Sequence, residues 1–296
     1  MNRIAILGLG LMGGSLGLAL KSRKSAGGKV CGYARRPETR KLALKLNAID
    51  EGFDDPAKAV QDADVVILCV PVLAIPDLVT KCRGSLKSGC IVTDVGSTKA
   101  QLADRIEPLL KGTGVVFIGS HPLAGSEQQG LDAARATLYE QAVVVVTPRG
   151  GKTSPVVESL RKFWEKIGAS VKVMTPDEHD HVVARTSHLP HMAAALVAAT
   201  VGRDGDLRQI GTYCGPGFRD TTRIAEGSAE IWHDIIQSNR ECLAGELAEF
   251  KSALERVLSM VEKGNSDELL KFLESGRSKR KQLMQDKLGE DQRGDL

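Results

Sequence analysis

The segment that most constrains the fold is a glycine-rich turn close to the N-terminus. An apolar run over residues 3–7 is followed by Gly8-Leu-Gly-Leu-Met-Gly13, and a segment that predicts a helix begins near Ser15. Glycines at the first, third and sixth positions of such a turn allow a tight bend, the close approach of a pyrophosphate, and close packing of the helix on the strand. The N–H groups at the start of the helix would then face the phosphates. The turn therefore predicts an α/β domain that binds a dinucleotide.

The end of the second predicted strand bears on which dinucleotide is bound. This strand, Lys29–Tyr33, ends in Ala34-Arg35-Arg36, where NAD-preferring sites usually carry an acid that bonds the ribose hydroxyls. Because a guanidinium group matches phosphate geometry, the two arginines favour NADP over NAD. The alternative is that they are exposed residues at the start of the next helix. We expect the cofactor to contact Gly8, Gly10, Leu11, Met12, Gly13, Ala34, Arg35, Arg36, Val70, Pro71 and Ser97.

Strands alternate with helices over the first part of the chain. Further apolar runs predict strands over residues 63–70, 89–94, 115–120, 141–147 and 170–174. This alternation is typical of a doubly wound parallel sheet. We therefore predict a Rossmann-type domain over residues 1–174.

The pattern changes after Thr175 and Pro176, where no further strand is predicted. The remaining residues predict an all-helical domain over residues 175–296, which we expect to form a homodimer with its copy. Its predicted elements are a helix over 177–201 with a kink or restart at Pro190, a glycine-rich connector over 202–217, a long helix over 228–262, and a last helix over 266–287.

Composition indicates an ordinary globular protein. The 296 residues carry a net charge of +3, 42% are hydrophobic and 26% are charged. No clustered basic face of the kind expected for nucleic-acid binding is apparent, and the basic run over 277–281 is interpreted as a solvated helix end. The six cysteines form no C-x-x-C pair, which favours a reducing compartment. With no signal peptide and no apolar run of about 20 residues, we expect a cytoplasmic protein without membrane contact.

His121 is the candidate for the chemistry. It follows the strand predicted over residues 115–120, and ligands of open α/β sheets bind at the carboxyl ends of strands. Its imidazole suits a general base that works near neutral pH. Ser97 follows the preceding strand and either caps a helix or faces the nicotinamide.

Polar residues of the helical part are candidates for substrate binding. Arg219 and Arg223 would bind a substrate carboxylate in bidentate geometry. His188 and His191 share a helical face, but the sequence offers no H-E-x-x-H pattern and no paired cysteines, so we predict no metal site. His179 and His233 are interpreted as histidines that cap a helix or lie in a polar interface.

Five motifs in this order resemble the prephenate/arogenate dehydrogenase family of tyrosine biosynthesis. The resemblance covers residues 3 to 285, nearly the whole chain. The motifs are Gly8–Ser15, Asp94–Lys99, His121–Glu127, Ser187-His-Leu-Pro-His191 and Gly217-Phe-Arg-Asp-Thr-Thr-Arg-Ile-Ala225.

The resemblance implies a reaction and a role for each matching residue. A hydride leaves C4 of a cyclohexadienol ring for the nicotinamide, the C4 hydroxyl loses its proton, and the C1 carboxylate departs as CO2. His121 would accept the proton, Ser97 would orient His121 and touch nicotinamide and substrate, and Arg223 would hold a carboxylate. The remaining substrate-binding residues are expected to be His191, His188, Ser187 and Ser126, with Glu127 and Asp180 at the pocket entrance and Trp232 reaching the partner subunit's site, unless Trp232 lies in a helix core.

The chain departs from the family pattern at Ala34, which replaces the acid of NAD-preferring members. We expect no chorismate mutase segment before the glycine loop and no regulatory ACT domain after the last helix. One alternative is a β-hydroxyacid dehydrogenase or imine reductase, which would want a catalytic lysine or aspartate on the first interdomain helix; that helix offers Asp180 but no lysine. A module that senses NADP without catalysis is the other alternative, and it gives His121 and Arg223 no purpose.

Overall fold

The computed structural model describes residues 1–23, 28–125 and 128–291. These form two compact units, Met1–Leu243 and Ala244–Leu296. Among the described residues, no helix is both long and apolar enough to cross a membrane.

The first unit contains a parallel sheet of six strands in the order β3-β2-β1-β4-β5-β6. The central strand β1 pairs with β2 and β4, so that Ile6 lies between Gly32 and Ile67. A parallel sheet is covered on both faces, which explains why its strands are continuous apolar runs. The strands are β1 Arg3–Leu7, β2 Lys29–Tyr33, β3 Glu51–Phe53, β4 Val65–Leu68, β5 Ile91–Asp94 and β6 Val116–Phe117.

Alternate residues of β1 enter two different cores. Ile4 and Ile6 pack into one hydrophobic cluster, whereas Ala5 and Leu7 pack into the other, because successive side chains of a strand point to opposite faces. The first cluster includes residues of α1 and α6, and the second includes residues of α4 and α5. The helices of this part are α1 Leu11–Ser22, α2 Pro37–Lys45, α3 Pro56–Ala59, α4 Ile75–Cys82, α5 Ala100–Leu110 and α6 Pro155–Lys166.

A second sheet of three strands carries His121. It consists of β7 Gly119–Pro122, β8 Val143–Thr147 and β9 Ser170–Val173, with β7 antiparallel to β8 and β8 parallel to β9. The prediction of one continuous strand over 115–120 is therefore wrong, since the chain leaves the parallel sheet at Ile118. Gly119 permits this change of direction because there is no room for a side chain at this position. A Cβ atom there would lie 2.7 Å from the Thr147 hydroxyl oxygen and 2.9 Å from Lys99 Cδ.

The described residues after Thr175 contain helices and no strand, so the predicted fold class is confirmed. Thr175 begins this part with a capping box, in which its hydroxyl and the Glu178 carboxylate each accept a backbone N–H of the other residue. The helices are α7 Pro176–Val183, α8 Leu189–Val201, α9 Leu207–Gly211, α10 Pro216–Thr222, α11 Ala229–Ser238, α12 Arg240–Glu262 and α13 Ser266–Asp291.

Both long helices predicted for this part are interrupted, the first of them close to the kink or restart expected at Pro190. A π-helical turn, Ala184–His188, separates α7 from α8 just before Pro190; a proline lacks the N–H for an i−4 bond and its ring clashes with that carbonyl. The helix predicted over 228–262 breaks at Asn239, whose buried amide donates a hydrogen bond of 2.8 Å to the backbone oxygen of Asp180. Both interruptions lie next to residues of the candidate site.

In the second unit, apolar side chains remain exposed along one helix. Phe250, Leu254, Leu258 and Val261 of α12 are between 40% and 59% exposed. Their spacing of three or four residues places them on one face of the helix.

The packing of α1 predicts a contrast between two leucines. Leu16 is 0% exposed in the first cluster, whereas Leu44 of α2 is 44% exposed. Leu16→Ala should lower the free energy of unfolding by about 2–5 kcal/mol, because it leaves a cavity beside the sheet. Leu44→Ala should change it by less than about 0.5 kcal/mol. Urea unfolding of both variants measures this difference, and equal losses would contradict the placement of α1.

Candidate active site

The glycine turn has the geometry of a pyrophosphate cradle. Gly8 has a φ of +108°, and a Cβ atom on it would lie 2.3 Å from the carbonyl oxygen of Cys69. A Cβ on Gly13 would lie 1.9 Å from the carbonyl oxygen of Gly8, whereas a Cβ on Gly10 would meet open space. The first and sixth glycines are therefore required by packing, and the third leaves room at the N-terminus of α1. Gly10 caps this helix without a side-chain acceptor, so the residues present fit a dinucleotide whose phosphates face the helix.

A cavity of about 550 Å³ extends from this turn. Its size is that of a small-molecule site. It combines the glycine turn with the ends of β4 and β5 and with residues from the helical part. The predicted residues on its walls are Gly10, Leu11, Met12, Val70, Pro71, Ser97, Arg223 and Trp232.

The turn after β2 presents two arginines to solvent. Ala34 is buried, and Arg35 and Arg36 are exposed. Arg40 braces the turn by donating hydrogen bonds of 2.7 Å and 3.0 Å to the carbonyl oxygens of Ala34 and Arg35. The two exposed guanidinium groups are thus held on a fixed backbone.

His121 is the first member of a chain of buried side chains. Its Nδ1 lies 2.8 Å from Nε2 of His179, and Nδ1 of His179 lies 2.7 Å from Oδ1 of Asp180. The two oxygens of Asp180 accept the backbone N–H groups of Lys99 and Ala100 at 2.8 Å and 2.9 Å. His121 is 8% exposed, and His179 and Asp180 are 1% and 2% exposed. This series of hydrogen bonds therefore connects β7 with α7 and with the N-terminus of α5.

An ion pair between Asp94 and Lys99 lies beside this chain and is fully buried. Asp94 also accepts the backbone N–H groups of Gly96 at 2.8 Å and of Ser120 at 3.2 Å. The Lys99 ammonium donates to the carbonyl oxygen of Ser120 at 3.0 Å. Ser97 and His121 each adjoin one of these backbone groups in the chain, so the ion pair holds their two segments together.

The histidines of the site are neutral near pH 7. Burial lowers the pKa of His121 well below its usual value, and the neighbouring His179, Lys99 and His188 add to this effect. Burial also lowers the pKa of His179, although Asp180 opposes the shift, and lowers the pKa of His188 to about 4. A neutral imidazole is a proton acceptor, as a general base must be.

Two further histidines pack against Trp232, which lines the cavity. His191 stacks on Trp232 with ring centroids 3.5 Å apart and an angle of 11° between the planes. The Asn239 amide lies 3.3 Å from Nδ1 of His188. Nε2 of His188 and Nδ1 of His191 are buried without a hydrogen-bond partner among the described residues. Buried polar atoms without a partner are uncommon in folded proteins.

The structure brings together most of the predicted site residues, with some differences. Asp180 does not lie at an entrance, since it is buried and caps α5. Ser187 and Arg219 are exposed, and Ser126 and Glu127 lie outside the described residues. The cavity lining includes Ser97 and Ala124 but not His121, His188 or His191. Within the described ranges, no group of three His, Cys, Asp or Glu residues is placed to hold a metal ion.

His179 is the residue that sequence reasoning missed. It was interpreted as a capping or interface histidine, but it contacts His121 directly. The signal for its position was the capping box of Thr175 and Glu178, which fixes where α7 begins. What the sequence does not contain is the approach of α7 to β7.

Comparison with known proteins gives a consistent result. The family model "Prephenate dehydrogenase, nucleotide-binding domain" matches residues 16–173, and "Prephenate dehydrogenase, dimerization domain" matches residues 175–275. Cyclohexadienyl dehydrogenase of Zymomonas mobilis subsp. mobilis is 34% identical over 287 residues, which cover 96% of this chain and 97% of that protein.

Solved structures agree. The crystal structure of prephenate dehydrogenase from A. aeolicus in complex with hydroxyphenyl propionate and NAD+ has a TM-score of 0.88 and 31% identity, with 96% of this chain and 98% of that chain covered. Synechocystis arogenate dehydrogenase has a TM-score of 0.81 and 30% identity, with 95% and 99% covered.

The lowered pKa values predict how stability depends on pH. Below about pH 6.5 the unfolded chain binds protons on histidines that stay neutral in the folded protein. For His188, whose pKa falls to about 4, the free energy of unfolding is fully retained above pH 6.5 and falls as the pH drops towards 4. The loss is at most about 1.4 kcal/mol per pH unit for each such histidine. His188→Asn should therefore flatten the acid side of the curve in urea unfolding.

His233→Asn is the matched control, because His233 is exposed. It should leave the pH dependence of unfolding unchanged. A His188→Asn curve parallel to that of the wild type would contradict the burial of a neutral imidazole.

Proposed function

The chain belongs to the prephenate dehydrogenase family, and we propose that it catalyses the NAD(P)-dependent oxidative decarboxylation of prephenate, arogenate or both. Prephenate would yield 4-hydroxyphenylpyruvate and arogenate would yield tyrosine, each with release of CO2. This is the step of tyrosine biosynthesis that makes the ring aromatic.

The observation that carries this proposal is the shared cavity. One space of about 550 Å³ is bounded by the glycine turn, by Ser97 at the end of β5, and by Arg223 and Trp232 from the helical part. A dinucleotide on the glycine turn extends towards Ser97, because the nicotinamide lies at the carboxyl ends of the strands. An anionic ring would meet Arg223 on the other wall, where a guanidinium binds a carboxylate in bidentate geometry.

The role of the protein is to hold and move a proton while the ring is oxidised. When bound, NAD(P)+ supplies the hydride acceptor. His121 accepts the proton of the C4 hydroxyl as that carbon becomes a ketone. The bond from C1 to the carboxylate then breaks, its electrons enter the ring, and the oxygen at C4 takes the proton back from His121. The substrate therefore loses a hydride and CO2, with no net release of a proton.

The other residues position the substrate. Ser97, on the cavity wall, would orient His121 and contact the nicotinamide and the substrate, and Arg223 would bind a carboxylate of the substrate. His188 and His191 pack against Trp232, which lines the cavity, and would thereby shape the substrate pocket. Ser187, Ser126 and Glu127 remain candidates for contacts at the rim of the site.

We further propose NADP as the preferred cofactor, because Arg35 and Arg36 stand exposed where NAD-preferring sites carry an acid. We also propose a domain boundary between residues 174 and 175, a homodimer through the helical domain, and a cytoplasmic location. The exposed apolar face of α12 supports the homodimer, and the six free cysteines agree with a reducing compartment.

The structure disfavours the alternative of a β-hydroxyacid dehydrogenase or imine reductase. Such an enzyme would use a lysine or aspartate of the first interdomain helix. In α7 the candidate is Asp180, whose two oxygens already accept hydrogen bonds from α5 and His179.

Steady-state rates with prephenate and arogenate, each with NADP+ and NAD+, test the reaction through the absorbance of the reduced nicotinamide. His121→Asn should keep cofactor binding and lose about 10²–10⁴-fold in kcat, because one general base typically contributes that factor. The exposed residue His233 provides the control variant His233→Asn, which should keep the wild-type rate. No turnover with any pairing would reject the function, and full activity of His121→Asn would remove His121 as the base.

The cofactor preference predicts selective effects at the turn after β2. Arg35→Ala and Arg36→Ala should each raise KM for NADP+ by about tenfold or more, since a hydrogen bond to a charged group contributes about 1.5–3 kcal/mol. KM for NAD+ should change little, because NAD+ lacks the 2′-phosphate. Arg277→Ala, at an exposed arginine of α13, is the control. An unchanged KM for NADP+ in both variants would exclude the phosphate contact.

A further inference from the structure

We propose that His179 and Asp180 are positioning residues that fix the tautomer of His121, so that the lone pair of its imidazole lies on Nε2. The proposal rests on the function given above, in which His121 is the proton acceptor. Neither residue needs to touch the substrate or the cofactor for this role.

The direction of each hydrogen bond in the series His121–His179–Asp180 follows from the carboxylate of Asp180. Asp180 as a carboxylate has no proton to donate, and its oxygens already accept N–H groups from Lys99 and Ala100. Nδ1 of His179, 2.7 Å from Oδ1 of Asp180, must therefore be the donor. Because a neutral imidazole carries one N–H, Nε2 of His179 is then an acceptor.

The same reasoning extends to His121. Its Nδ1 lies 2.8 Å from Nε2 of His179, and an acceptor there requires Nδ1 of His121 to carry the hydrogen. The lone pair of His121 is thereby confined to Nε2. A proton from the ring hydroxyl can enter only at this nitrogen.

The assignment depends on His179 being neutral. A doubly protonated His179 would donate to His121 and move the lone pair of His121 to the wrong nitrogen. Burial lowers the pKa of His179, and the Lys99 ammonium lowers it further, against the effect of Asp180 and Asp94. The groups that act on His121 itself are His179, Lys99 and His188, all of which lower its pKa.

Asp180 is held in place by the N-terminus of α5 and by Asn239. Its carboxylate caps α5, where the N-terminal N–H groups and the helix dipole favour a negative charge. Its backbone oxygen accepts the Asn239 amide at 2.8 Å. The Lys99 ammonium is paired with Asp94, and its interaction with Asp180 is the weaker of the two. The charge of Asp180 therefore remains available to stabilise the imidazolium that forms when His121 takes the proton.

The arrangement is a longer form of a known device. In the Ser-His-Asp triad, a buried aspartate holds the histidine in the correct tautomer, and loss of that carboxylate lowers kcat by about 10⁴. Here a second imidazole stands between the aspartate and the base, and transmits the same constraint over two hydrogen bonds.

Three substitutions of His179 separate this role from simple packing. The side-chain oxygen of His179→Gln can reach the place of Nε2 and accept the His121 N–H, whereas the shorter His179→Asn reaches only the place of Nδ1. We expect His179→Phe and His179→Asn to lose about 10²–10⁴-fold in kcat with KM for the substrate little changed, and His179→Gln to stay within about tenfold of the wild type. His181→Gln, at an exposed histidine of the same helix, should behave as the wild type.

The tautomer itself is measurable without turnover. In protein with ¹⁵N-labelled histidines, the His121 signals are identified by their loss in His121→Asn. The wild type and His179→Gln should show the hydrogen on Nδ1, and His179→Phe should show it on Nε2 or on both nitrogens.

An unchanged His121 tautomer in His179→Phe would overturn the proposal, as would wild-type kcat in that variant or a His179→Gln variant as slow as His179→Phe. If the wild-type protein turned over neither substrate, the proposed function would fail, whereas the tautomer measurement would still decide whether His179 positions His121.

Discussion

The ion pair between Asp94 and Lys99 is the interaction on which the arrangement of the site depends. Both groups are fully buried, and such burial is tolerated only when the charges are paired and their remaining hydrogen bonds are made. The backbone of Gly96 and Ser120 makes those bonds. The cost of desolvating the two charges is therefore offset only when the end of β5 and the start of β7 are close enough for these hydrogen bonds to form.

The same ion pair shapes the electrostatics of the site. The Lys99 ammonium lies close enough to lower the pKa of both His121 and His179. The second carboxylate, Asp180, accepts the backbone N–H groups of Lys99 and Ala100, and its attraction to the ammonium is weaker than that of Asp94. A cation and two carboxylates therefore share one buried region, and each has its own partner. This separation leaves His121 neutral, with the charge of Asp180 two hydrogen bonds away.

The features that could be predicted from the sequence are those with a local physical cause. Glycines at Gly8 and Gly13 are needed where a Cβ would collide with the backbone, and the central strands β1 and β4 consist mainly of buried apolar residues. The interruptions at Ile118 and Asn239 could not be predicted, because they depend on contacts with distant segments. Ser120 bonds to Asp94, 26 residues earlier, and Asn239 bonds to Asp180, 59 residues earlier. The position of His179 could not be predicted for the same reason, since its partner His121 is 58 residues away.

The π-helical turn Ala184–His188 determines the angle, around the helix axis, between two groups of side chains of the candidate site. His179 and Asp180 precede the turn, and His191 follows it. Each residue of an α-helix advances the side chains by about 100°, so the wider turn behaves as a one-residue insertion between the two groups. If the helix were regular here, the angle between His179 and His191 around the helix axis would change. His179 could then not contact β7 while His191 stacks on Trp232. One irregular turn thus allows a single helical segment to contact both His121 and Trp232.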